Sequence, residues 1–176
     1  MLIGISGKRG VGKSLAAAYL AKHHRFIRVS FADDLRVAAK HLLPFTENDL
    51  SIPAKKEAKF KNYDFSPRDF MINLGEFMRF HDRSYWLNRG LAKCSDPKLN
   101  YVFDDVRYKN EADAIKSHGG RLVRIERYEK QNPYGKNLDT PSETDLDDYN
   151  FDFLVGAMWN NSQSELYRQM DAFMGV

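Results

Sequence analysis

The chain of 176 residues holds one cysteine, Cys94, so no internal disulfide can form, and the scarcity points to a reducing compartment. Its five histidines do not pair with cysteine at zinc-like spacing, and His23-His24 read as a helix end. No apolar run is long enough to span a bilayer. The N-terminus enters an apolar strand directly, without a basic and apolar leader, so a cytoplasmic, membrane-free protein is expected. Net charge is only +3, which acidic small molecules explain as well as nucleic acid would, and the absence of a dense basic block argues against a nucleic-acid partner. There is no internal repeat and no low-complexity segment. The D-x-x-G and N-K-x-D strings of a regulatory GTPase are also missing. What remains is an ordinary globular composition, 43% hydrophobic and 29% charged, of single-domain length.

Against these absences stands Gly7-Lys8-Arg9-Gly10-Val11-Gly12-Lys13-Ser14, which fits G-x-x-x-x-G-K-[ST]. An apolar strand (residues 2–6) precedes it and a run of helix formers from Leu15 follows, which is the context a phosphate-binding loop requires. Glycines let successive N–H groups point at phosphate oxygens, and the helix start adds its positive end. Residues 7–15 are therefore expected to bind a nucleoside triphosphate, with Lys13 on the β/γ-phosphates and Ser14 on magnesium.

Further strands are expected at 26–31, 101–105, 121–125 and 151–155, alternating with helices. Ser66-Pro67-Arg68-Asp69 reads as a helix start, and Phe70, Met71, Leu74, Phe77 and Met78 form an apolar stripe on that helix, most simply read as core. Asp82 is expected to cap the next helix. Tyr101-Val102-Phe103-Asp104-Asp105 is an apolar strand ending in aspartate, the Walker-B pattern; Asp105 is the magnesium candidate and Asp104 the alternative. The pattern predicts a three-layer α/β/α sandwich on a five-stranded parallel sheet. The loop-bearing strand is expected at the centre, between the strands at 26–31 and 101–105. One domain over 1–176 is expected, with a helical acceptor-binding insertion at 46–95 and a possible lid loop at 128–150. Residues 46–66 read as a lysine-rich, partly helical excursion.

Arg36, Arg68, Arg79, Arg83 and Arg107 fall at element ends or in the inserted helices. Transfer of a phosphoryl group to a second phosphate needs such cations, since two polyanions must meet. Four stretches in order resemble the phage-type deoxynucleoside monophosphate kinases: the loop at 7–14; Phe31-Ala32-Asp33-Asp34-Leu35-Arg36; Leu74-Gly75 with Asp82-Arg83-Ser84-Tyr85-Trp86; and Asp105-Val106-Arg107 with Glu111. Fainter similarity follows at Arg127, Ser142-Glu143 and Asp152. The resemblance implies ATP and Mg²⁺ on the loop, and a (deoxy)nucleoside 5′-monophosphate held by Asp33, Arg36, Arg68, Arg79, Arg83, Asp105 and Arg107. It gives Lys13, Asp33 and Arg107 catalytic roles, and it is compatible with a homodimer. Trp86 or Tyr85 is placed either on the acceptor base or in the core. Two rival readings are another small-molecule P-loop kinase, such as one acting on dephospho-coenzyme A, and a nucleotide-dependent nucleic-acid-binding protein.

Overall fold

The computed structural model describes residues 1–127, 140–157 and 163–176. The chain divides into two compact units, one of Met1–Ser30 with Cys94–Val176 and one of Phe31–Lys93.

The first unit is built on five parallel strands: β1 (Leu2–Ser6), β2 (Phe26–Val29), β3 (Asn100–Phe103), β4 (Arg121–Arg127) and β5 (Phe153–Ala157). Their order is β2-β3-β1-β4-β5, with Ile3 opposite Val102 and Ile5 opposite Val123. Because β1 is buried on both faces, it reads as a nearly continuous apolar run. Ile3 and Ile5 point to one face, where α1 (Lys13–His24) and α9 (Gln163–Met174) bring Ala16, Ala17, Leu20, Leu166, Met170 and Phe173. Gly4 points to the other, against Ile115 of α7 (Lys109–Ser117). Helices on both faces of a parallel sheet make the three layers expected from the sequence.

One neighbour differs from expectation. β1 lies between β3 and β4, and β2 is the outer strand. Burial explains the exchange: Val102 and Phe103 are fully buried and need neighbours on both sides, whereas β2 alternates buried ends with exposed Ile27 and Arg28. That is the pattern of an edge. β5 also begins two residues later than expected, at Phe153.

The second unit contains α2 (Asp33–Leu42), α3 (Glu47–Ser51), α4 (Pro53–Glu57), α5 (Pro67–His81) and α6 (Tyr85–Ala92). Its core is Leu35, Ala39, Phe45, Leu50, Phe60, Met71 and Trp86. The unit starts at Phe31, so α2 belongs to it, whereas the sequence set the insertion at 46–95. The excursion at 46–66 is partly helical and contributes Leu50 and Phe60 to this core. As expected, α5 opens with a capping box, Ser66 and Asp69 each accepting the other's backbone N–H. Two local expectations are corrected. Phe77 is 59% exposed and not core. Ser84, not Asp82, is the N-cap of α6; Asp82 closes α5 and accepts the Ser84 N–H at 2.8 Å.

The expected lid loop divides at residue 140. Residues 128–139 lie outside the described residues, while Pro141–Thr144 form the short helix α8, with Glu143 and Leu146 buried. No helix among the described residues is long and apolar enough to cross a membrane.

Gly4 tests the layer packing. A Cβ there would come within 2.6 Å of Ile115, 2.7 Å of Leu122 and 2.9 Å of Val106. Gly4→Ala should lower stability by about 1–3 kcal/mol through overpacking, or about 2–4 °C in Tm for each kcal/mol. An unchanged thermal midpoint would show that α7 does not close on β1 as described.

Candidate phosphate-binding site

The loop after β1 is shaped by glycine. Gly7 has φ +139°, and a Cβ on it would sit 2.3 Å from the Ile125 carbonyl oxygen, so no larger residue fits. Gly12 is the N-cap of α1 at φ 108°, with no side-chain cap and no acidic residue in the helix's first turn. The positive end of the helix is thus left for an anion. Ser14, in that first turn, is exposed.

Lys13 is buried, and its Nζ donates to the carbonyls of Gly7 at 2.6 Å and Lys8 at 2.8 Å. Burial first, and the Arg107 charge second, pull its pKa down to about 7; Glu143, Asp105 and Asp104 act in the opposite direction.

The end of β3 delivers two carboxylates. Asp104 is buried and paired with Arg28 Nη2 at 2.7 Å. Asp105 accepts the Ser30 hydroxyl at 2.5 Å. Beyond them, Arg107 is fixed from both ends. Its N–H donates to Glu111 Oε2 at 2.8 Å, and the same oxygen takes the Tyr108 N–H at 3.1 Å at the start of α7. Its Nη1 donates to the Ser142 carbonyl at 2.9 Å and to the Glu143 carboxylate. Glu143 Oε2 in turn accepts the Arg9 N–H of the loop at 2.9 Å. Burial alone would raise the Glu143 pKa, but Arg107, Lys13 and the Arg9 amide outweigh it and hold the carboxyl below its usual range.

The flanks of the loop are tied as well. Lys8 Nζ donates to the Glu143 carbonyl at 2.5 Å and to Asp147 at 2.7 Å. The other Asp147 oxygen takes Arg124 at 2.9 Å. Arg127 Nε donates to the Val11 carbonyl at 2.9 Å. Lys8, expected as an ATP ligand, thus has its side chain committed to residues 143 and 147.

Lys13, Asp105 and Arg107 are therefore gathered in the first unit. Glu111 and Glu143, which hold Arg107, had no role in the sequence reading. Their only signal was membership of the strand-end motif and of the Ser142-Glu143 pair. Asp152, the other faint match, is a sheet tie whose carboxylate accepts the Leu122 N–H at 2.7 Å.

The remaining candidates lie in the second unit. Asp33 pairs with Arg36 at 2.9 Å, at the start of α2. Arg68 pairs with Glu57, and Arg79 with Glu76 at 3.2 Å. These two arginines lie at opposite ends of α5, roughly 16 Å apart along its axis at 1.5 Å per residue. Arg83 is exposed just before α6. Trp86 is corrected to a core residue: it is 3% exposed and its indole N–H is satisfied by the Gly75 carbonyl at 3.1 Å. No face of it is open for stacking on a base.

Lys13 makes the loop sensitive to pH. Between about pH 7 and 10.5 the folded chain holds Lys13 neutral and the unfolded chain holds it charged. Unfolding then takes up a proton, and stability rises with pH by about 1.4 kcal/mol per unit. Urea unfolding at pH 7 and pH 9 should show the wild type gaining on Lys13→Met across that interval. Parallel pH dependence of the two proteins would rule out a neutral, buried Lys13.

No family model matches the chain. It is 32% identical over 166 residues, 83% of this chain and 82% of the relative, to a protein of Acanthamoeba polyphaga mimivirus that carries the provisional name deoxynucleotide monophosphate kinase. Among solved structures it is similar to a dephospho-CoA kinase from Campylobacter jejuni (TM-score 0.54, 16% identity, 99% of this chain and 95% of that one). It is also similar to a gluconokinase from Sinorhizobium meliloti (TM-score 0.54, 12% identity, 98% and 90%). A third is the shikimate kinase of Aquifex aeolicus (TM-score 0.50, 15% identity, 99% and 96%). These likenesses assign the fold to the P-loop kinases. With the loop, the strand-end carboxylates and Arg107 in place, the relative in sequence assigns the family: the chain belongs to the deoxynucleotide monophosphate kinases.

Proposed function

We propose that the protein transfers the γ-phosphoryl group of ATP to a (deoxy)nucleoside 5′-monophosphate, giving ADP and the corresponding diphosphate. The observation that carries this reading is the pairing, in one unit, of the glycine-lined loop holding Lys13 with the strand-end residues Asp105 and Arg107. The viral relative's name supports the acceptor class.

The chemistry asks little of a base. An acceptor phosphate oxygen is already anionic; it forms a bond to the γ-phosphorus as the bond to the ADP oxygen breaks in line. Positioning and charge neutralisation do the work. Lys13, released from the Gly7 and Lys8 carbonyls, follows the transferring group. Arg107 offsets charge on the oxygens that meet.

The donor set fits a magnesium ion. An exposed Ser14 hydroxyl and the Asp105 carboxylate are hard oxygen donors, and such an ion takes its remaining ligands from phosphates and water. Asp105 is the better candidate because Asp104 is already neutralised by Arg28. When bound, the ion would supply Lewis-acid neutralisation of the phosphate oxygens.

Asp33, Arg36, Arg68, Arg79 and Arg83 are proposed as acceptor-side residues. Arg36, Arg68 and Arg79 each pair with a carboxylate, so exchange for a phosphate would preserve their charge balance.

A coupled ADP-release assay over ribo- and deoxynucleoside monophosphates, with dephospho-coenzyme A, shikimate and gluconate alongside, tests the reading. Turnover is expected with at least one monophosphate and with none of the others. Lys13→Met should fold and lose at least about 100-fold in kcat, the scale of one lost electrostatic contact to the transferring group. A folded wild type inert toward every monophosphate, or a Lys13→Met enzyme near wild-type kcat, would refute it.

A further inference from the structure

Glu143 occupies an unusual position for a carboxylate beside a phosphate site. Its side chain is 3% exposed, and its two oxygens serve different elements: Oε2 takes the Arg9 N–H of the loop, and Oε1 takes Arg107 Nη1. The residue is itself held, since Lys8 binds its carbonyl and Arg124 binds Leu146 and Asp147 just beyond it. A carboxylate this close to a phosphate site would ordinarily repel the ligand. Here its charge is matched by Arg107, and it also counters the Arg107 charge felt by Lys13.

The geometry at Arg107 is informative. Among the described residues, both side-chain hydrogen bonds of the guanidinium use Nη1, one to Ser142 and one to Glu143. Among the described residues, Nε and Nη2 have no hydrogen-bond partner. These two nitrogens form the side edge of the guanidinium, the pair that binds a phosphate through two parallel N–H groups. Glu143 thus grips the arginine by one corner and leaves the bidentate edge open.

We propose that Glu143 is a positioning residue for phosphoryl transfer, holding the Arg107 guanidinium by Nη1 and the loop at the Arg9 amide so that both meet phosphate in a fixed geometry. The inference rests on the kinase reading above. It assigns Glu143 no contact with substrate; it acts through Arg107 and the loop.

The test uses the full chain with Glu143→Gln and Glu143→Asp, each in the wild-type and Arg107→Met backgrounds. The first readout needs no activity. Arginine side-chain ¹⁵N spectra, with Arg107 identified by its loss in Arg107→Met, should show slow guanidinium rotation in the wild type and averaging in Glu143→Gln. The second uses the best acceptor from the panel. Glu143→Gln should lower kcat by about 10- to 100-fold, the cost of a small misplacement of a catalytic group, with the KM for ATP changed less than about threefold. Glu143→Asp should recover part of the loss. In the Arg107→Met background Glu143→Gln should change kcat by less than about threefold, because residues acting as one unit are not additive. Additive losses in the two backgrounds, or unaltered Arg107 rotation in Glu143→Gln, overturn the proposal. If Glu143→Gln does not fold, Glu143→Asp carries the same comparison. If the wild type phosphorylates no acceptor, the kinase reading fails, and the rotation of Arg107 still decides whether Glu143 positions it.

Discussion

A lysine side chain held out of water sets the terms for the first unit. Lys13 is buried, and its hydrogens are taken up by the carbonyls of Gly7 and Lys8. Those carbonyls can turn inward only because the loop folds through conformations with positive φ at Gly7, Gly10 and Gly12. Gly7 has no alternative, since the Ile125 carbonyl occupies the space a side chain would need. The loop therefore depends on β4 as its support as well as on β1, from which it springs. A phosphate that replaces the carbonyls would favour the charged lysine and offset the desolvation penalty.

The sheet order explains why the other groups arrive nearby. All strands are parallel, so their carboxyl ends share one edge. β1 is central and ends in the loop; β3, on one side, ends at Asp104 and Asp105; β4, on the other, carries Arg124 and Arg127. β2, at the edge, supplies Arg28 to neutralise Asp104. The two neighbouring aspartates thereby become inequivalent. Asp104 pairs with a guanidinium, and Asp105 accepts the Ser30 hydroxyl.

Much of this was legible in the sequence where the signal is local. The loop motif, the capping box at Ser66 and Asp69, and the apolar β1 are written in consecutive residues, and all appear as read. Long-range choices were less legible. The place of β2 depends on which strand other parts of the chain cover, and its four residues carry that only faintly, as exposed Ile27 and Arg28. Trp86 looked equally suited to a base and to a core; its N–H found the Gly75 carbonyl, and the core took it. Glu143 was hardest to read. Nothing in Pro141-Ser142-Glu143-Thr144 announces that its carboxylate reaches Arg9, more than a hundred positions earlier in the chain. A polar residue in a polar segment is ordinarily solvated, and only the fold reveals the partly buried Arg107 that it meets.

Lys13 and Arg107 give the carboxylates their reason. Burial first, and the Arg107 charge second, depress the pKa of Lys13. Two such charges near one another in a partly dry site need an anion, and a phosphate provides one only while it is bound. Breaking a buried ion pair by removing one partner costs about 3–5 kcal/mol. A kinase that releases its nucleotides on every cycle would face that cost repeatedly without internal counter-ions. Glu143, Asp105 and Asp104 are such counter-ions, and each is anchored by a group other than Lys13: Arg107 and the Arg9 amide, Ser30, and Arg28. Fixed in this way, they can balance the cations when phosphate is absent without following Lys13 into the space that phosphate must enter.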